Sequence, residues 1–149
     1  MSTYKNILAV VDLGPDSLAV ARRARELCAG TDARLTLLHV VEYVPAEPLS
    51  DALLPTVQIE AELLERGRER LAALAAELSP PASRFEVTTG NVKAEITRFA
   101  RDGQHDLIVI GSHERHGLSI LVNLTEDTVL HAAPCDVLAV RLAGSRNAP

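Results

Sequence analysis

Along nearly its whole length the chain alternates short apolar runs with segments whose apolar residues recur at helical spacing. The runs are residues 6–11, Arg34–Val41, Arg84–Thr89, 107–110 and 135–141. The fourth (Leu107-Ile108-Val109-Ile110) is β-branched and continuous, which suits a strand buried on both faces. Residues 84–89 instead alternate, with Phe85 and Val87 against Glu86 and Thr88, as a half-exposed edge strand does. Between the runs lie helical patterns at 18–29, 56–78, after Gly90-Asn91, and from Leu118 to about Ala132. Strict β-α alternation with buried strands predicts an α/β fold, a single doubly wound five-stranded parallel sheet. Right-handed crossovers place helices on both faces.

Local signals set the element ends. Asp16 or Ser17 is the expected N-cap of the first helix, whose apolar stripe is Val20, Ala21, Ala24, Leu27 and Cys28. Gly30 closes it as a C′ residue. Pro45, Pro48 and Pro55 break up residues 42–55, read as a long connection. The helix at 56–78 turns Ile59, Leu63, Leu64, Leu71, Leu74, Ala75 and Leu78 inward, with Gly67 a mild weakness, and stops at Pro80-Pro81. Val92, Ile96, Phe99 and Ala100 form the inner side of the third helix. Without repeats or a linker, residues 1–149 read as one domain, with 142–149 a polar frayed tail.

At 149 residues the chain can bury roughly two thirds of its unfolded surface. A net charge of −5 and only four Phe and Tyr residues give neither a basic face nor stacking platforms, so nucleic acid is not an expected partner. The arginines at 22, 23 and 25 and at 66, 68 and 70 alternate with other residues and read as solvated helix faces. Cys28 and Cys135 lack CxxC spacing and read as small core residues. No apolar run approaches the roughly 20 residues of a membrane span, and the first residues lack signal-peptide character, so the cytoplasm is expected.

The candidate site surrounds residues 106–117. Gly111 is expected to end the fourth strand, and a glycine turn into a helix start offers free N–H groups to an anion. Glu114 puts a carboxylate into that turn. Asp12, just after strand one, either accepts hydrogen bonds from a ligand base or sugar or serves as a turn aspartate. If strands one and four are neighbours, Asp12 and Gly111 face one crevice at the carboxyl edge of the sheet. No G-x-G-x-x-G follows strand one, and neither a P-loop nor a G-x-S-x-G elbow is present, so no catalytic residue is assigned. His113 and His116, with His105 and His131 nearby, read as loop and helix-end residues rather than metal ligands. His39 reads as a hydrogen-bonded core histidine.

Leu38-His39-Val40-Val41, Gly111-Ser112-His113 and the ending Val129-Leu130-His131-Ala132-Ala133-Pro134-Cys135-Asp136-Val137-Leu138-Ala139-Val140-Arg141 together resemble the universal stress protein family over about residues 4–141. The resemblance implies strand order 3-2-1-4-5 and a homodimer through the last strand, here Asp136, Val137, Leu138, Ala139, Val140 and Arg141. An edge strand paired with its own copy also ceases to be an aggregation hazard. ATP-binding relatives carry Gly, two residues, Gly, nine residues, Gly, then Ser or Thr. Here Gly111 fits, with Ser112 and His113 after it, but the second glycine is Glu114. The third is Leu124 followed by Thr125, or Asn123 followed by Leu124 with one gap. Asp12 and Val40 match positions on the adenine and ribose side. A carboxylate about 4 Å from a phosphate repels it by about 1 kcal/mol per unit charge in water and roughly 4 at an effective dielectric of 20. The resemblance therefore implies a stress-response regulatory protein with weak or absent ATP binding and no certain cofactor. An ATP- or AMP-binding regulator using Mg²⁺ is the alternative.

Overall fold

The computed structural model describes residues 3–42, 53–113, 129 and 131–142. In order, these form β1 (Asn6–Val10), α1 (Ser17–Cys28), β2 (Arg34–Val41), α2 (Leu53–Glu77), β3 (Arg84–Thr89), α3 (Val92–Asp102), β4 (Leu107–His113) and β5 (Asp136–Leu142). Residues 129 and 131–132 are helical, at the end of the predicted 118–132 helix. The strands form one parallel sheet ordered β3-β2-β1-β4-β5, as expected.

The continuous apolar runs follow from burial on both sides. Odd-numbered residues (Ile7, Ala9, Leu35, Leu37, Leu107, Val109) pack with Val20, Ala21 and Ala24 of α1 and Leu71 and Ala75 of α2. Even-numbered residues (Leu8, Val10, Leu38, Val40, Ile108) pack with Ile96 and Ala100 of α3 and with Val129. Winding from β1 out to β3 puts α1 and α2 on one face. Returning through α3 to β4 puts α3 on the other. At the amino edge, the Asp106 carboxylate accepts the Lys5 and Asn6 backbone N–H groups at 2.7 and 3.0 Å, seating β1 beside β4.

Several local expectations are corrected. Gly111 does not end its strand: β4 runs to His113, paired with β5 at Gly111–Val140, Ser112–Arg141 and His113–Leu142. The tail begins later than 142, because Leu142 is a buried strand residue. Pro55 does not keep α2 from starting at Leu53. It stands in the first turn, where backbone N–H groups have no intrahelical acceptor to lose. Ile59 is 48% exposed rather than inward, and Phe85, at 37%, stands on β3, the edge strand of the sheet. Leu27 is likewise exposed on α1. As expected, Gly30 takes φ +73° beyond α1 and α3 follows Gly90-Asn91; the Asn91 side chain caps it by accepting from the Ala94 N–H at 2.9 Å. Among the described residues, no helix is long and apolar enough to cross a membrane.

Candidate functional site at the carboxyl edge of the sheet

Register alone builds a notch. The last paired residue of β1, Val10, lies opposite Leu38 of β2 and Ile110 of β4. β2 continues through residues 39–41 and β4 through 111–113, so the central strand stops three residues short of both neighbours. At about 3.3 Å per residue and 4.8 Å between strands, the gap is roughly 10 Å deep and 10 Å wide. It lies where the winding direction reverses, the place at which parallel α/β sheets bind ligands. β1 and β4 are neighbours, so Asp12 and Gly111 both follow the paired stretch at this edge.

The floor of the notch is the turn after β1. The chain leaves the ladder at Val11, whose N–H donates to Leu38 O at 2.9 Å, and bends toward the α1–α2 face. Leu13 adopts φ +62°, the left-handed region that a leucine seldom enters, with its side chain buried in the first core. Asp12 Oδ1 accepts the Gly14 N–H at 2.8 Å and the hydroxyl of buried Ser17 at 2.9 Å. Asp12 is thus a turn aspartate, with its residue still exposed at the rim. His39 Nδ1 lies 2.8 Å from Val11 O, a carbonyl that can only accept, so Nδ1 carries the donated proton; the histidine is hydrogen-bonded as expected, although half-buried rather than in the core.

The remaining candidates divide. The Val40 side chain is buried against the α3 face, so only its backbone can serve a ligand. Gly111 lies in strand, where a Cβ would stand 2.8 Å from Leu142 Cδ1 and 3.0 Å from Val20 Cγ2. Its bareness serves packing between β4, β5 and α1. Ser112 is half-buried beside exposed Arg141, its register partner. His113 contributes strand backbone. Glu114, His116, Asn123, Leu124 and Thr125 lie outside the described residues, as do 43–52 of the long connection.

Three residues have roles here that the sequence does not show. Ser17, a possible cap by sequence, is the buried partner of Asp12. Gly67 is not merely a weak point of α2. Its missing Cβ would stand 3.3 Å from Val87 Cγ1 and 3.6 Å from His39 Cδ2, so it is where α2 approaches the sheet. Arg70, read as part of a solvated face, donates from Nη2 to Leu13 O. Arg25 departs from that reading too, reaching Pro81 O at 3.1 Å. A glycine in a helix otherwise rich in Glu, Arg and Leu was the available signal.

Away from the notch, burial pushes the thiols of Cys28 and Cys135 up, and the charges of Asp106 and Asp136 add to this at Cys135. Neither thiol is thereby made nucleophilic. Lys5, bonded to Asp32 at 3.1 Å, holds that carboxyl below its ordinary value at the surface. Among the described residues, no group of three His, Cys, Asp or Glu is arranged to hold a metal.

The model of the universal stress protein family matches residues 3–141. Universal stress protein A homolog 2 of Coxiella burnetii is 38% identical over 146 residues, covering 97% of this chain and all of that protein. Among solved structures, the universal stress protein UspA from Lactobacillus plantarum superposes with TM-score 0.70 at 27% identity, covering 93% of this chain and 98% of that one. A universal stress protein in complex with cAMP superposes with TM-score 0.60 at 19% identity, covering 93% and 98%.

Proposed function

The chain belongs to the universal stress protein family, and from that premise we propose that it is a cytosolic, homodimeric regulatory binding protein of the stress response whose nucleotide pocket binds ATP weakly or not at all. The observation that carries this reading is the motif at 111–125. Of its three glycines only Gly111 is present, and Glu114 stands where the second would be. The surroundings of Gly111 support the same reading, since its bareness accommodates Leu142 and Val20. Leu124 or Asn123 at the third position adds a side chain where backbone N–H groups would need to approach phosphate closely. No catalytic residue is assigned: the Ser17 hydroxyl that pairs with Asp12 is buried in the turn rather than open to a substrate.

A second reading, a regulator that binds ATP or AMP with Mg²⁺, is favoured by the notch itself. Asp12 stands at its rim, and the backbone of residues 39–41 extends beyond β1. The cAMP-bound neighbour shares too little sequence to add more than the fold.

Calorimetric titration with ATP and Mg²⁺, on wild type and on Glu114→Gly, separates the two. The expected outcome is a wild type weaker than about 10 μM, or roughly −7 kcal/mol, and a variant that binds at least tenfold tighter. A wild type tighter than that limit favours the second reading. A variant no tighter than wild type removes the carboxylate from the account.

A further inference from the structure

The turn at the floor of the notch is held from three elements. Val11 O faces the His39 ring of β2, Gly14 O accepts the Ser17 N–H of α1 at 3.1 Å, and Leu13 O accepts from Arg70 of α2. These bonds surround the residue with the turn's least comfortable backbone, Leu13 at φ +62°. A left-handed leucine persists only where its neighbours over-determine it. From inside, the buried Leu13 side chain does so; from outside, Arg70 does. The guanidinium arrives there because α2 lies close to the sheet one turn earlier on the same stripe, at Gly67, where no Cβ intervenes before His39 and Val87.

We propose that Arg70 is the positioning residue of the notch: from α2 it fixes the Leu13 peptide, and through it the Asp12 carboxylate that the notch presents to a ligand. The role concerns the same site as the function proposed above and rests on that reading for its consequence in binding. Arg70 is an exposed residue outside both apolar clusters, so removing it releases the turn without opening the interior. Since Asp12 Oδ1 holds the Gly14 N–H and the Ser17 hydroxyl, release of the turn is readable at both residues.

The test is amide hydrogen exchange by NMR on the ligand-free protein, comparing wild type, Arg70→Ala and Arg70→Lys. In Arg70→Ala, the Gly14 and Ser17 amides should exchange about tenfold faster. The Asn6 amide, bound to Asp106 at the opposite edge, should keep its wild-type rate. Arg70→Lys, which still carries a donor on a long stem, should recover most of the protection. Unchanged exchange at Gly14 and Ser17 would overturn the proposal, as would an equal rise at Asn6, which would mean general destabilisation. A second arm places Arg70→Ala in the Glu114→Gly background and titrates ATP with Mg²⁺. Affinity should fall several-fold, and an unchanged affinity would refute positioning of the ligand site. If Glu114→Gly alone binds no ATP, the pocket reading fails, while the exchange rates still decide whether Arg70 holds the turn.

Discussion

His105 is a polar ring in surroundings that do not suit it. It is 8% exposed, stacked on Phe99 with centroids 5.8 Å apart and planes at 26°, and neither ring nitrogen has a hydrogen-bond partner of good geometry. Gly103 is bare because a Cβ there would stand 2.5 Å from His105 Cε1. Burial pulls the ring below its ordinary 6.5, with the carbonyls of Phe99 and Ala100 and the charge of Asp106 opposing weakly. The folded state therefore prefers the neutral ring, and between its lowered value and 6.5 the unfolded chain binds more protons. Stability from this residue is fully present above about pH 6.5 and is lost as pH falls toward the folded value. Urea midpoints at pH 7.5 and 5.5 should drop more for wild type than for His105→Gln. Parallel drops would show that the buried ring has no such effect. The roles of single residues are also the least visible in the sequence. Arg70 and Arg25 look like solvated charges in any window of sequence, and only the approach of a distant carbonyl gives them another partner.

At the scale of elements, strands and helices were legible because each carries its own periodicity, while their ends depended on neighbours. β4 passes Gly111 because β5 lies alongside to pair with residues 111–113, and nothing local to the Ile110-Gly111 sequence announces that partner. The consequence is testable at Gly111→Ala. The position lies outside the left-handed region, so alanine is tolerated by the backbone, but its methyl would press into Leu142 and Val20. Overpacking of this kind costs about 1–3 kcal/mol, a fall in Tm of several degrees for a domain of this size. Calorimetry on the purified variant measures it. An unchanged Tm would mean that β4, β5 and α1 have room to give at this point. Gly67 makes the same point inside a helix: the propensity penalty is visible in sequence, but the close approach it permits is not.

At the scale of the whole molecule, the sheet formed by the described residues has two edges, β3 and β5. β3 carries Arg84 and Glu86, charges of the kind that keep edge strands from pairing. β5 carries Val137, Leu138, exposed Ala139 and buried Val140, a more apolar strand, and is the edge through which the proposed homodimer forms. Leu138 also packs against the first core, so a charge there would confound association with folding. Ala139 is the cleaner probe. Across a twofold axis, Ala139→Asp brings two carboxylates toward each other. Light scattering at tens of micromolar should give a dimer for wild type and a monomer of unchanged helix content for the variant. A wild-type monomer would end the proposal that β5 is an interface.

What the linear sequence determined was the class of fold, its doubly buried strands and the family, because alternation of periods, turn residues and motif spacing are properties of short stretches. It also pointed to the carboxyl ends of strands one and four, where Asp12 and Gly111 stand, since a parallel sheet wound in both directions leaves one reversal point. Only the tertiary structure decided how far β1 falls short of β2 and β4, that Gly111 serves packing, and that α2 reaches across to the Asp12 turn. Those features depend on register and on contacts between residues such as Leu13 and Arg70, far apart in the chain, and no local pattern encodes a distance in space.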